Sequence, residues 1–99
     1  MLLKMPIDRT SMKSIHLIVS GKVQGVFFRK HAKRMADHFQ ICGTVQNRSD
    51  GCVEIFAEGE QLHVQKFVDW CKSGPDRATV SKVDIHETAV KKYSDFRII

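Results

Sequence analysis

The apolar residues of this chain change period in a fixed order, and that order leaves few folds open. From Ser14 to Ser20, Ile15, Leu17 and Val19 fall on alternate positions, the spacing of a strand with one buried face. From Phe27 to Phe39 the spacing becomes three and four, through Phe28, Ala32, Met35, Ala36 and Phe39, and Lys30, Lys33, Arg34 and Asp37 form the other face of a helix. Alternation returns over Ile41 to Asn47 and again over Cys52 to Glu58. Turn residues Arg48-Ser49-Asp50-Gly51 separate these two runs, so they read as a hairpin. A second helical stripe of Val64, Phe67, Val68 and Cys71 lies within Gln61 to Ser73 and stops at Gly74-Pro75. Val80 to Thr88 gives a fourth strand of weaker pattern, and Phe96 to Ile99 a short fifth.

The resulting order, β-α-β-β-α-β, predicts an α+β, ferredoxin-like sandwich: an antiparallel sheet with two helices on one face. At 99 residues the chain has room for one such core and no second domain. Residues 1–12 carry no period, and Lys4 and Pro6 interrupt their apolar start. They are expected to form a flexible extension, with neither a secretion signal nor a membrane span. In this topology strands one and two point the same way with strand three between them. The loop after strand one, the first turn of helix one and the end of strand two therefore leave the sheet at one rim, about 10 Å apart.

What sits at that rim suggests an anion. Val19-Ser20-Gly21-Lys22-Val23-Gln24-Gly25-Val26-Phe27-Phe28-Arg29 reads as a strand, a glycine-pinned loop and a helix start. Two glycines let consecutive N–H groups turn inward, and a helix N-terminus adds unpaired donors and the positive end of its dipole. Arg29 adds a planar fork able to hold two phosphate oxygens. The same pattern also describes an ordinary strand-to-helix connection, and Asn47, before Arg48-Ser49-Asp50-Gly51, is also a common turn former. The formal charge of +5, from 16 basic and 11 acidic residues, favours anionic partners without choosing among them.

A general base is missing from this arrangement. His31 follows Arg29 by two positions, about 200° around the helix, and His16 lies at the far end of strand one. His38, His63 and His86 have neither triad nor metal spacing, and Asp50 reads as turn chemistry. No carboxylate pair is placed to hold Mg²⁺. Cys42, Cys52 and Cys71 contain no Cys-x-x-Cys pair and read as reduced residues of a cytoplasmic protein. Such a site can hydrolyse only a substrate whose leaving group departs unaided, while the protein neutralises phosphoryl charge and aligns a water. A carboxyl phosphate meets that condition, because the conjugate acid of its leaving group has a pKa of about 4.

Two blocks of sequence then bear a family likeness. Gly21-Lys22-Val23-Gln24-Gly25-Val26-Phe27-Phe28-Arg29 is similar to the phosphate-cradle signature of the acylphosphatases, small enzymes that hydrolyse the carboxyl-phosphate bond of acyl phosphates. Gly43-Thr44-Val45-Gln46-Asn47, followed by Gly51-Cys52-Val53 and Gly59, resembles their second block. The resemblance runs on through Trp70 to Tyr93-Ser94-Asp95-Phe96, and so marks residues 13–99 as an acylphosphatase-like domain. It implies that Arg29 and Asn47 are the catalytic pair, Arg29 on the phosphate and Asn47 orienting the attacking water. It implies that Gly21, Lys22, Val23, Gln24, Gly25 and Val26 bind phosphate with Arg29, with no metal and no cofactor. The implied partners are a small acyl phosphate and inorganic phosphate, the product and a competitive inhibitor. A cytoplasmic monomer without nucleic acid or membrane partners is expected.

Two positions depart from the family pattern. Lys22 stands where arginine is frequent, which leaves backbone donation intact. Thr44 replaces the aromatic residue that usually follows Gly43, a change expected to fall on outer-face packing. The rival reading is an RNA-recognition-like module of the same element order, which needs exposed aromatics on strand three; Gly51 to Glu58 offers only Phe56. A third reading, a small-ligand regulatory domain, predicts effector-dependent assembly and no turnover.

Overall fold

A computed structural model describes residues 11–99. The elements run β1 (Met12–Lys22), α1 (Phe28–His38), β2 (Cys42–Asn47), β3 (Val53–Glu60), α2 (Gln61–Ser73), β4 (Thr79–Thr88) and β5 (Phe96–Ile98). Most of the expected extension, residues 1–10, lies outside the described residues. Met12, expected to belong to it, is the first residue of β1 and pairs with Glu60.

The sheet order is β4-β1-β3-β2-β5. β1 and β2 each run antiparallel to β3, so they run parallel to one another with β3 between them. The four strands of the expected sandwich are antiparallel to their neighbours, and the short fifth makes the sheet mixed: β5 lies parallel to β2 with Phe96 beside Gly43 and Ile98 beside Val45. Geometry explains this. β4 and β5 hold opposite edges, four strand spacings or about 19 Å apart. β4 runs antiparallel to β1, and the step from Thr88 to Phe96 can span only about 26 Å when extended, so it crosses at the end of the sheet where β4 stops, and β5 sets out opposite to β4, in the direction of β2.

That crossing is clipped midway. Glu58 on β3 is 3% exposed, and its carboxylate accepts hydrogen bonds from the backbone N–H of Lys91 at 2.7 Å and of Tyr93 at 3.2 Å. Burying a carboxylate is costly unless such donors meet it, and here they come from the segment that must be held down. The nearby carboxylate and partial burial raise the Tyr93 phenol above its ordinary value, burial being the larger cause.

The helices cover the other face. Phe28, Ala32 and Ala36 of α1, and Val64, Phe67, Val68 and Cys71 of α2, are buried against Leu17, Val19, Val45 and Ile55 of the strands. The two alanines let α1 lie close to the sheet, and Phe67 fills the centre, edge-on to Phe96 with ring centroids 5.8 Å apart. Gly74 ends α2 with φ of 68° and donates to the Trp70 carbonyl at 2.8 Å. The side chain of Glu60 caps its start, accepting from Leu62 and His63.

The uncovered face is polar and tightly partnered. Phe56, the one aromatic residue of β3, stacks on His16 with centroids 4.5 Å apart and lies beneath the Lys91 ammonium at 5.6 Å. It is therefore not the exposed stacking platform an RNA-recognition module requires. Thr44 pairs with Phe56 on one side and Arg97 on the other, on the sheet face away from Val45 and the core.

Replacing Glu58 by Ala strands two amide donors and frees the β4–β5 crossing. Urea unfolding is expected to show a loss of about 2–4 kcal/mol, with part of it recovered in Glu58→Gln, which still accepts. A loss under about 0.5 kcal/mol in the alanine variant would mean the crossing holds itself.

Candidate functional site

The chain between β1 and α1 is shaped by positive φ angles. Gly21, at a bulge where the β1–β4 register shifts, has φ of 124°, and a β-carbon there would run into the Thr79 carbonyl. Gly25 has φ of 74° with open space around it, so the backbone angle and not crowding calls for glycine. Phe27 takes φ of 62° just before the helix, where a helical residue was expected. Left-handed residues alternating with right-handed neighbours turn successive N–H groups to one side, which makes an anion nest. Among the described residues, no protein group accepts a hydrogen bond from the backbone N–H groups of Gln24 through Lys30. The first amide to find an acceptor is that of His31, which donates to the Phe27 carbonyl at 3.1 Å.

A cavity of about 310 Å³ opens beside these amides. Val23, Gly25, Arg29 and Asn47, all singled out in the sequence, line it together. Gly21, Lys22, Gln24 and Val26 do not line it. Gly21 and Lys22 belong to β1 and pair with β4, and Val26 is buried facing a neighbouring cavity. Phe27, Phe28, Lys30 and Ile98 complete the lining, and of these Lys30 and Ile98 were not foreseen. Lys30 had been assigned to the solvent face, because helical periodicity separates buried from exposed residues and does not divide the exposed face. Ile98 arrives through the parallel β2–β5 pairing, for which no local pattern exists.

Asn47 supplies the most informative atom. Its Oδ1 is buried, and among the described residues no group donates to it. A buried carbonyl oxygen without a donor is costly, and this one belongs to a residue that lines the cavity of Arg29. Neither Arg29 nor Lys30 forms an ion pair with a described carboxylate. The lining thus combines a guanidinium, an ammonium and a carboxamide, with no carboxylate, imidazole or thiol among the described residues. Nor do three potential metal-binding side chains gather anywhere in residues 11–99.

Gln24 does different work. Its Nε2 donates to the Arg48 carbonyl at 2.8 Å and the Cys52 carbonyl at 2.9 Å, the two ends of the turn that follows Asn47. That turn is closed by Arg48 N–H on Cys52 O at 2.9 Å. Asp50 accepts from Cys52 N–H at 3.0 Å, and this bond, with the Arg48 guanidinium, lowers the Asp50 carboxyl below its ordinary value. Glu54, across the sheet from the cavity, meets His16 Nε2 at 2.7 Å and accepts from Gln46 Nε2 at 3.0 Å. The His16 contact is the largest cause holding its carboxyl below the usual range. His16 therefore serves the outer face, and His31 turns its Nδ1 to the Phe27 carbonyl at 2.9 Å.

Comparison with known proteins agrees with this architecture. The family model for acylphosphatases matches residues 15–98. An acylphosphatase of Syntrophus aciditrophicus is 44% identical over 89 residues, covering 89% of this chain and 93% of its own. One of Coxiella burnetii strain RSA 493 is 46% identical over 84 residues, covering 85% of this chain and 88% of its own. A solved acylphosphatase structure from Coxiella burnetii superposes with a TM-score of 0.89 at 42% identity, covering 96% of this chain and all of that one.

Gln24→Ala is expected to cost about 1–2 kcal/mol for two lost hydrogen bonds. It is also expected to speed exchange of the Arg48 and Cys52 amides, which close the turn on Cys52 O and Asp50, read by hydrogen–deuterium exchange; unchanged exchange there would show that the turn needs no tie to the loop. The Glu54 contribution has a definite sign. Its folded pKa lies below the ordinary Glu value of about 4.3, so the stabilisation is complete above that pH and is lost as pH falls through the lower folded value. Acid titration of Glu54→Gln should show a shallower loss of stability over that window, and a curve parallel to wild type would remove Glu54 from acid sensitivity.

Proposed function

The chain belongs to the acylphosphatase family, enzymes that hydrolyse acyl phosphates, and from that premise we propose that Arg29 and Asn47 divide the chemistry between the phosphoryl group and the attacking water. The phosphoryl group rests against the amides of the β1–α1 loop, with two of its oxygens in the Arg29 fork. A water gives one hydrogen bond to Asn47 Oδ1, which leaves a lone pair free to approach phosphorus. The observation that carries this reading is that Asn47, whose buried Oδ1 has no donor among the described residues, lines the same cavity as Arg29. A carboxamide oxygen accepts a hydrogen bond but does not take up the proton, so Asn47 orients and the water's protons stay with the phosphate.

The bond changes balance without another group. Water oxygen bonds to phosphorus, the phosphorus–oxygen bond to the acyl group breaks, and its electrons leave on a carboxylate. An acyl phosphate dianion and water become a carboxylate and dihydrogen phosphate. No acid is needed, because the leaving carboxylate is stable at neutral pH. The negative charge on the equatorial oxygens is met by donors already in place, the kind of preorganised stabilisation that contributes most when it costs no rearrangement. Charge neutralisation is thereby assigned to Arg29 and the amides, with no metal required. Val23, Gln24, Gly25 and Val26 contribute backbone to the cradle, whereas Gly21 and Lys22, paired with β4, hold its base. The same cradle should take inorganic phosphate, the product, as a competitor, while alkyl phosphate esters, which leave as alkoxides, should be poor substrates.

With benzoyl phosphate in excess chelator, turnover is expected to persist and inorganic phosphate to compete. Arg29→Gln and Asn47→Ala, checked as folded by circular dichroism, should each lower kcat by about a hundredfold or more. A requirement for added divalent metal would overturn the metal-free assignment. Near-normal turnover in either variant would remove that residue from the site.

A further inference from the structure

Phe27 is in the wrong conformation for its own comfort. It takes φ of 62° and ψ of 25°, a left-handed setting that a bulky residue rarely adopts, while 59% of its surface remains exposed. Burial in the core therefore does not offset the strain, and glycine or asparagine would satisfy the backbone better. The setting is also held in place: His31 reaches the Phe27 carbonyl with both its backbone N–H, at 3.1 Å, and its Nδ1, at 2.9 Å. Strain maintained by neighbours at a ligand cavity points to a role for the side chain itself.

That side chain is a shared wall. On one side it lines the cavity of Arg29 and Asn47. On the other it lines a second cavity of about 420 Å³ with Val26, Trp70 and Pro75, near His31. Asp76 and Arg77 also line this second cavity, and their opposite charges leave it without a strong preference for an ion. Trp70 packs one side of its ring into the core, against Phe28 at 5.3 Å and Phe67 at 6.2 Å between centroids, so it is a rigid surface. Because Phe27 lines both cavities, a substrate held by its phosphoryl end in the first can extend its acyl group past Phe27 into this aromatic cleft.

We propose that the cleft formed by Phe27, Trp70 and Pro75 is the acyl-group subsite, and that it selects acyl phosphates with aromatic or bulky apolar acyl groups over acetyl phosphate. This rests on the phosphoryl group occupying the Arg29 and Asn47 cavity. Phe27 is a specificity-determining residue in this arrangement: its ring covers an apolar acyl group that would otherwise face water, and a methyl group is too small to gain from it.

The test compares kcat/KM for benzoyl phosphate with that for acetyl phosphate in the full chain and in Phe27→Ala and Phe27→Asn. Asparagine tolerates the left-handed setting and so keeps the loop shape. The benzoyl-to-acetyl ratio should fall about tenfold in both variants, the scale of losing one apolar wall of a pocket, chiefly through KM for benzoyl phosphate. A second readout needs no turnover. Trp70 is the chain's sole tryptophan, so one indole N–H resonance reports on the cleft. In enzyme saturated with inorganic phosphate it should shift on titration with benzoate, not with acetate, and should cease to shift in Phe27→Asn. A ratio unchanged in both variants, equal losses on both substrates, or an indole signal indifferent to benzoate would each overturn the acyl subsite while leaving the phosphoryl site standing. Failure of the native chain to hydrolyse either compound would instead bring down the phosphoryl reading, and this inference with it.

Discussion

Two hydrogen bonds from one carboxamide join what the sheet keeps apart. β1 and β2 are not neighbours, since β3 lies between them, so the loop after β1 and the turn after β2 leave the sheet with a strand's width separating them. Gln24 bridges that gap by donating to both ends of the β2–β3 turn, Arg48 O and Cys52 O. Because Asn47 immediately precedes Arg48, fixing the turn fixes the carboxamide relative to the loop amides. A site made of parts from distant sequence tolerates little relative motion, since small misplacement of a reacting group is enough to lose much of the benefit of orientation. The tie works at short range, and the register of β1 and β2 on β3 makes it possible by bringing both segments to one rim.

Much of the closed polar bonding lies on the other side of the sheet. The face of the sheet not covered by helices carries His16 on Glu54, Gln46 on Glu54, Phe56 under Lys91 and the Glu58 clip on the β4–β5 crossing. These contacts satisfy one another and present no unpaired buried group. The cavity face does the reverse, with unpartnered amides, two cations without counter-ions and an undonated carbonyl oxygen. Buried polar groups left unsatisfied lower stability, and a fold can carry them where the rest of its polar inventory is closed. Thr44 fits this division, since it lies on the outer face between Phe56 and Arg97. Its departure from the family's aromatic residue therefore bears on packing at that face, with the sheet between it and Arg29.

What was legible in the sequence was whatever depends on local period. α2 spans Gln61–Ser73 as its apolar stripe and Gly74-Pro75 indicated, and the strand alternation placed Leu17, Val19, Val45 and Ile55 in the core. The ends of elements were less legible. β1 extends from Met12 to Lys22 because β3 and β4 flank it on both sides and continue its hydrogen bonding beyond the apolar alternation. Phe27 reads as the first residue of an amphipathic helix, and only the bonds from His31 show that it is held outside the helix in a left-handed turn. Gln24 was visible as part of a loop motif, but nothing in one dimension shows that its side chain points to the β2–β3 turn. The second glycine of the loop, Gly25, has the positive φ expected of a cradle, whereas the first, Gly21, answers to the close approach of Thr79.

Exposure of Arg29 bears on how such a site would turn over. The guanidinium is not buried, so water and salt screen its attraction for any anion more than they would in a closed interior. Tight binding of phosphate in both substrate and product would be a handicap, because uniform affinity lowers KM without speeding the chemical step and slows release of the product. In the proposed mechanism the screened cation and the exposed Lys30 beside it attract and admit the phosphoryl group, while directional donors, the loop amides and Asn47, respond to geometry more than to charge. A trigonal bipyramidal arrangement at phosphorus moves the equatorial oxygens and brings the water onto the axis, so groups fixed by Gln24, the Phe27 turn and the β2 end gain most at that moment. Catalytic discrimination then comes from the rigidity of the backbone around the cavity, and the net positive charge of the chain contributes to encounter and not to selectivity.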